Sequence, residues 1–115
     1  MNQRVVLITG ASSGIGRALA IAAAKRGYLV GLMARSEAGL QETIASCVSL
    51  GSGNIQSDQF ISTVGDVSIE ADCARFIQNA VSAWGRIDVL INNAGISMRG
   101  IFADTEVSVL QRLMD

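Results

Sequence analysis

Three glycines, at positions 10, 14 and 16, interrupt the segment LITGASSGIGRALA, residues 7–20. An apolar run precedes them and an alanine-rich run follows, which predicts a strand, a tight turn and the start of a helix. A helix start offers unpaired N–H groups and a partial positive charge, both of which favour a bound phosphate. Gly10 would permit the sharp exit from the strand, Gly14 would let a diphosphate approach the backbone, and Gly16 would let the helix pack closely on the sheet. The alternative is a strand-to-helix turn that binds nothing.

A second polar cluster ends the last predicted strand, in the segment DVLINNAG, residues 88–95. In a doubly wound sheet, ligands bind beyond the carboxyl ends of the strands, near the point where the strand order reverses. Asn92 and Asn93 could therefore face the same ligand as the glycine turn. The alternative is that the paired amides only cap and turn the chain.

The elements that must position these residues alternate regularly along the chain. Short apolar runs predict four strands, over 5–8, 28–34, 60–64 and 87–91. Helices are predicted between the strands and over 105–114, and the stretch GSGNIQSD, residues 51–58, predicts a surface loop. This alternation predicts a parallel sheet with right-handed crossovers. We expect a doubly wound, Rossmann-like α/β fold with the strand order 3-2-1-4.

Apolar residues at helical spacing predict which face of each helix is buried. In the first helix they are Ile15, Ala18, Leu19, Ala22 and Ala23. In the second they are Leu40, Ile44, Cys47 and Val48. In the third they are Ala74, Ile77, Val81 and Trp84.

The composition excludes several classes of function. The formal net charge is −1 with no basic run, so nothing indicates a nucleic-acid or membrane-surface partner, and the apolar runs are too short for a membrane span. The chain has no histidine, which excludes a histidine-based triad and a histidine-ligated metal. Cys47 and Cys73 fit neither a disulfide framework nor a metal site, so we expect no metal and a reducing, cytoplasmic location.

Taken together, the glycine turn, the Asn-Asn-Ala-Gly segment at 92–95 and the Gly-Asp-Val segment at 65–67 resemble the short-chain dehydrogenase/reductase family. The resemblance lies with the subfamily that carries Thr-Gly-x-x-x-Gly-x-Gly and covers nearly the whole chain. It implies hydride transfer between a nicotinamide dinucleotide and a small carbonyl or alcohol substrate. The cofactor-binding residues that it implies are Gly10, Ser12, Ser13, Gly14, Ile15, Gly16, Asp66, Val67, Asn93, Ala94 and Gly95.

Within this set, the resemblance implies that Asp66 and Val67 bind the adenine. The Asp66 carboxylate would accept a hydrogen bond from the adenine amino group, and Val67 would line the adenine pocket. An alternative for Asp66 is an N-cap of the following helix, a role for which Ser68 is equally suited. Cofactor choice depends on the end of the second strand, where an NAD-binding domain usually carries an acidic residue. Arg35 and Ser36 stand there instead, and a guanidinium can pair with a 2′-phosphate. We therefore expect NADP rather than NAD, although a solvated arginine or a partner for Glu37 is the alternative.

The family's Tyr-x-x-x-Lys pair is missing, because Tyr28 is the single tyrosine and Lys25, the single lysine, precedes it. We therefore assign no catalytic residue and interpret residues 1–115 as the dinucleotide-binding half of one Rossmann-like domain, truncated before its catalytic half. This chain alone is predicted to be inactive, and the full-length protein is expected to be a homo-oligomeric oxidoreductase. The alternative is a stand-alone nucleotide-binding or regulatory module.

Overall fold

The computed structural model describes residues 3–51 and 53–93, so the helix predicted over 105–114 lies outside the described residues. The elements alternate between strand and helix: β1 (Val5–Thr9), α1 (Gly14–Lys25), β2 (Leu29–Ala34), α2 (Glu37–Leu50), β3 (Phe60–Val64), α3 (Glu70–Trp84) and β4 (Val89–Asn92). Each strand agrees with a predicted strand to within about two residues, and the three helices lie between the strands as predicted. The loop predicted over 51–58 leads into a short 3₁₀ helix at Ser57–Gln59.

The four strands form one parallel sheet in the order β3-β2-β1-β4, which confirms the predicted fold. The chain therefore starts at the centre of the sheet, and β1 pairs with β2 on one side and with β4 on the other. Thr9 is the register partner of both Met33 and Asn92, so the three strands end at the same level. This is the point at which the strand order reverses and a crevice opens beyond the carboxyl ends.

Helices cover both faces of the sheet. Alternate residues of β1 point to opposite faces, with Val6 and Ile8 packed against α1 and α2, and Val5 and Leu7 packed against α3. All of β1 is buried as a result, which explains why its sequence is a continuous apolar run rather than an alternating one.

The buried face predicted for α1 is only partly right. Ile15 is 71% exposed, and Ala18 and Ala22 are also exposed. The buried residues are Gly16, Ala20, Ala23 and Ala24. They follow one another at helical spacing from Gly16, which faces the end of β1, and their small side chains let the helix lie close to the sheet.

The stripe predicted for α3 is only partly right: Ile77 and Trp84 pack partly buried against the core, but the fully buried positions lie on a neighbouring stripe. Cys73, Phe76 and Ala80 are buried, whereas Ala74 is exposed and Val81 is 48% exposed. Phe76 decides this orientation, because its ring enters the core beside Leu7 and Met33. The stripe predicted for α2 is confirmed, since its four residues all belong to the core beneath α1 and α2.

Asp88 lies directly before β4 and fastens it to the start of β1. The side chain is 2% exposed, and its Oδ2 accepts a hydrogen bond of 2.7 Å from the N–H of Val5. The N–H of Asp88 donates in return to the carbonyl of Val5 at 2.9 Å, and Oδ1 forms a salt bridge with Arg86. Burial raises the pKa of Asp88, but the hydrogen bonds from Arg86 and Val5 outweigh it, so the pKa lies below its ordinary value.

We expect Asp88→Ala to lower the free energy of unfolding by about 2–3 kcal/mol at neutral pH, because the N–H of Val5 would be left buried without an acceptor. The stabilisation from the carboxylate is complete above the unfolded-state pKa of about 3.9 and is lost as the pH falls through the lower folded-state pKa. The difference between variant and parent should therefore shrink in acid, which urea unfolding at a series of pH values measures.

The matched control for this prediction is Asp58→Ala, because Asp58 is exposed in the 3₁₀ helix. Its stability should change by less than about 0.5 kcal/mol at every pH. Equal losses in the two variants would contradict the bridging role of Asp88.

Candidate functional site

A cavity of about 590 Å³ lies beyond the carboxyl ends of the strands. The segments that follow all four described strands contribute to its wall. The lining residues are Gly10, Ser12, Ser13, Ala34, Arg35, Ser36, Gly65, Asp66, Val67, Ser68 and Asn93. The cavity therefore opens at the position where a sheet of this topology binds its ligands.

Most of the residues predicted from the sequence to bind a cofactor meet at this cavity. The eight that line it are Gly10, Ser12, Ser13, Arg35, Ser36, Asp66, Val67 and Asn93. Gly14, Ile15 and Gly16 belong to the first turn of α1 and do not line it, while Ala94 and Gly95 lie outside the described residues. Ala34, Gly65 and Ser68 also line the cavity but were not predicted, although each is adjacent in sequence to a predicted residue.

The glycine turn combines an open side and a crowded side. Gly10 and Gly14 have φ values of 64° and 56°, in the left-handed region that favours glycine. A Cβ at Gly14 would meet no described atom within 4 Å, whereas a Cβ at Gly16 would lie 2.1 Å from the carbonyl oxygen of Gly10. Gly16 therefore permits the close approach of α1 to the end of β1, and no atom of the described residues fills the space at Gly14.

The start of α1 has no side-chain cap. Ser13 occupies the N-cap position in an extended conformation, and its hydroxyl makes no capping hydrogen bond. The first N–H groups of the helix are thus left for another acceptor, and with the partial positive charge of the helix end they suit an anion.

The two asparagines at the end of β4, Asn92 within the strand and Asn93 directly after it, act mainly on the turn. The Thr9 hydroxyl donates to Asn92 Oδ1 at 3.2 Å and accepts from the N–H of Asn93 at 3.1 Å. Asn93 Nδ2 donates to the carbonyl of Gly10 at 3.2 Å. The alternative interpretation, in which the amides fix the loop, therefore describes Asn92, while Asn93 both fastens the turn and lines the cavity.

The segment after β3 presents a carboxylate to the cavity. Asp66 Oδ1 accepts from the N–H and the hydroxyl of Ser68, at 2.8 and 2.7 Å. The N-cap of α3 is Ile69, so the alternative that Asp66 or Ser68 caps this helix is wrong. The two hydrogen bonds from Ser68, together with the nearby charge of Arg35, hold the pKa of Asp66 below its ordinary value. No donor to Asp66 Oδ2 is found in the described part of the chain.

Two charged residues of α3, Asp72 and Arg75, hold the backbone of this segment by hydrogen bonds. Asp72 Oδ2 accepts from the N–H of Asp66 at 2.9 Å, and Asp72 Oδ1 lies 3.0 Å from Arg75 Nη1. Arg75 Nη2 donates to the carbonyl of Val64 at 2.6 Å. The backbone on both sides of Gly65 is thereby held, which fixes the direction of the Asp66 side chain.

Arg35 extends from the end of β2 and is exposed at the cavity. Within 3–51 and 53–93 it forms no salt bridge or hydrogen bond, so the proposed pairing with Glu37 is not observed. The neighbouring Ser36 is the N-cap of α2, and its Oγ accepts from the N–H of Gly39 at 3.0 Å. Among the described residues, the Arg35 guanidinium thus lines the same cavity as the glycine turn and Asp66 without a hydrogen bond or salt bridge of its own.

Other chemistries find no support among the described residues. They contain no group of three or more His, Cys, Asp or Glu residues that could hold a metal ion. Cys47 and Cys73 are buried, and burial raises the pKa of the Cys47 thiol to about 11, which makes it a poor nucleophile. Within the same part of the chain, no helix is long and apolar enough to cross a membrane.

A family model described as short chain dehydrogenase matches residues 4–115. The chain belongs to the short-chain dehydrogenase family. The resemblance of its motifs to that family is thereby confirmed.

Individual members of the family are similar to this short-chain dehydrogenase at moderate identity. The 11-beta-hydroxysteroid dehydrogenase-like 4A of Arabidopsis thaliana is 45% identical over 109 residues, which are 94% of this chain and 35% of that protein. The apo glucose dehydrogenase of Caenorhabditis elegans aligns with a TM-score of 0.74 at 30% identity, over 95% of this chain and 47% of that chain. A variant of actinorhodin polyketide ketoreductase with NADPH aligns with a TM-score of 0.71 at 33% identity, over 82% of this chain and 34% of that chain. The chain spans about a third of the length of the curated relatives that it matches.

We expect Gly16→Ala to destabilise this short-chain dehydrogenase by about 1–3 kcal/mol, because the new Cβ would overlap the carbonyl of Gly10 and move the helix. Alanine at an ordinary helix position stabilises by roughly 0.5–1 kcal/mol relative to glycine, so the predicted sign is the reverse of the usual one. Urea unfolding measures it, and an increase in stability would contradict the close approach.

Proposed function

We propose that the protein is an NADP(H)-dependent oxidoreductase that transfers a hydride between nicotinamide and a small carbonyl or alcohol substrate, and that the described residues bind the adenosine diphosphate part of the cofactor. The observation that carries this proposal is the cavity itself, in which the glycine turn, Asp66 and an unpaired Arg35 converge at the carboxyl ends of four parallel strands. Family membership and the similarity to a ketoreductase with NADPH support it.

The diphosphate would bind at the glycine turn. Gly14 leaves open space beside the uncapped start of α1, where N–H groups can donate to phosphate oxygens. Asn93 holds the Gly10 carbonyl, so the turn keeps its shape whether or not a ligand is present. A preformed site of this kind loses little conformational entropy on binding.

The adenosine would lie between the loops after β2 and β3. Asp66 stays ionised at neutral pH and offers Oδ2 as an acceptor for an amino group, while the partly buried Val67 supplies an apolar wall. Arg35 is free to pair with a 2′-phosphate through its planar fork, whereas a carboxylate at this place would repel that phosphate. This contrast is the reason that we propose NADP rather than NAD.

The nicotinamide supplies the hydride chemistry, and the described residues bind and orient the other end of the dinucleotide. None of the described lining residues is a tyrosine, lysine or histidine that could move the substrate's proton. Tyr28 packs partly buried against the core at the start of β2, which is the opposite end of the sheet from the cavity. The homo-oligomeric state and the cytoplasmic location stay predictions.

The cofactor preference is tested by Arg35→Asp with calorimetric titration of NADPH and NADH. We expect the Kd for NADPH to rise about 30- to 1000-fold, because a charge-assisted pair is lost and a repulsion is added. The Kd for NADH should change far less. The control Arg26→Asp makes the same change in charge at the other end of α1, about 18 Å from the turn, and should leave both constants unchanged. Equal NADPH affinity in parent and Arg35→Asp would refute the assignment.

A second variant, Gly14→Val, tests whether the turn binds the diphosphate. The branched side chain would enter space that no described atom occupies, and at the left-handed φ of 56° it would also strain the turn, so we expect the dinucleotide to be excluded while the helix beyond its first turn is retained. Circular dichroism and calorimetry measure the two effects. Unchanged dinucleotide affinity in a folded variant would mean that the turn is structural only.

A further inference from the structure

A polar network joins the glycine turn to the two helices beneath it, and none of the functions above uses it. Thr43, on α2, is fully buried, and its Oγ1 donates to the carbonyl of Ala11 at 2.7 Å. Arg17, on α1, donates from Nε to the Thr43 hydroxyl at 3.0 Å. The other arm of the guanidinium donates from Nη2 to the carbonyl of Ser12 and, at 3.5 Å, to that of Gly39. Neither Arg17 nor Thr43 lines the cavity.

The network uses its central hydroxyl both as a donor and as an acceptor. The Thr43 hydroxyl donates its single hydrogen to Ala11 and accepts from Arg17, so replacing it leaves a buried carbonyl and a guanidinium N–H without partners. α2 is also pressed against the turn, because a Cβ at Gly39 would lie 2.6 Å from that of Ser12. The turn is therefore clamped against α2 as well as against β1.

The hydrogen bonds from Thr43 and Arg17 to the carbonyls of Ala11 and Ser12 determine the orientation of two peptide units. In a trans peptide the C=O of one residue and the N–H of the next point in opposite directions. The described residues contain no cis peptide, so holding the carbonyls of Ala11 and Ser12 on the helix side turns the N–H groups of Ser12 and Ser13 to the other side. Both serines line the cavity, and no described residue accepts a hydrogen bond from either N–H. The N–H of Ala11, by contrast, already donates to Met33.

We propose that Arg17 and Thr43 are positioning residues for the diphosphate: they orient the Ser12 and Ser13 N–H groups as donors to its oxygens without touching it themselves. This inference rests on the proposed function, because it assumes that a dinucleotide diphosphate occupies the turn. It predicts that removing the network weakens binding of the diphosphate. Binding of the adenosine and its 2′-phosphate, which would contact the loops after β2 and β3, should be unaffected.

The test compares Thr43→Val, which keeps the shape and removes the hydroxyl, with Thr43→Ser, which keeps the hydroxyl. NADPH and adenosine 2′-monophosphate serve as probes, since the second lacks the diphosphate. We expect Thr43→Val to raise the Kd for NADPH about 10-fold or more and to leave that for adenosine 2′-monophosphate within about 2-fold. Thr43→Ser should stay within about 3-fold of the parent for both ligands.

The matched control is Thr63→Val on β3. Thr63 is also buried, its hydroxyl accepts from Asn79 Nδ2 at 3.0 Å, and it does not line the cavity. Its loss should lower stability as the Thr43 variant does, yet leave both dissociation constants unchanged. Thermal unfolding of each variant separates the loss of stability from the loss of affinity.

Arg17→Lys gives a second reading if Thr43→Val does not fold. The ammonium keeps the charge but lacks the fork that reaches Thr43, Ser12 and Gly39 together, so we expect selective weakening of NADPH binding, about 5-fold or more. Equal weakening of both probes, or unchanged NADPH affinity in a folded variant, would overturn the proposal. If the parent protein binds neither probe, the proposed function fails with it, and the parent titration alone shows this.

Discussion

The packing of α1 on the sheet, and with it the geometry of the cavity, depends on how closely α1 approaches the end of β1. A Cβ at residue 16 would lie 2.1 Å from the carbonyl oxygen of Gly10, a distance that only glycine allows. This contact fixes the rotation of the helix about its axis. Ala20, Ala23 and Ala24 then face the sheet and Ile15 faces solvent, although isoleucine is the more hydrophobic side chain. The hydrophobic effect is thus subordinate to a steric constraint in the first turn of this helix.

The contact between Gly16 and Gly10 also determines the surroundings of the first turn of α1. The N-cap residue Ser13 lines the cavity, and Arg17, next to Gly16, extends to Thr43 on α2.

The polar groups around the cavity fall into two sets. Asp66 is held by Ser68 and, through its backbone, by Asp72, while no hydrogen bond or salt bridge from the described residues holds Arg35. A fixed acceptor and an adaptable cation suit a ligand whose base must be oriented and whose phosphate needs mainly charge.

The sequence was informative where a local pattern has a single explanation. Continuous apolar runs such as residues 5–8 indicate strands covered on both faces, and glycine spacing indicates a turn that a ligand or another backbone segment approaches closely. The buried faces of the helices were harder to predict from the sequence. α3 carries two apolar stripes one residue apart, and only its packing against the sheet shows that the stripe with Phe76 is the more buried one. Thr43 could not be found at all, since its partner Ala11 is 32 residues away and a threonine within a helix has no motif of its own. Long-range hydrogen bonds between unlike elements leave no periodic trace in a single sequence.

The fastening of β4 to β1 also bears on how the chain folds. Val5 and Asp88 are 83 residues apart, as are Thr9 and Asn92, so these links close a loop that comprises nearly all of the described chain. Contacts of such high sequence separation form late, because the entropy of closing the loop is lost before any of them contributes. Until β4 pairs with β1, one edge of β1 stays open, although every residue of this strand is buried in the folded chain. The pairing of β4 with β1 therefore brings in one wall of the cavity and at the same time covers an edge that would otherwise invite aggregation.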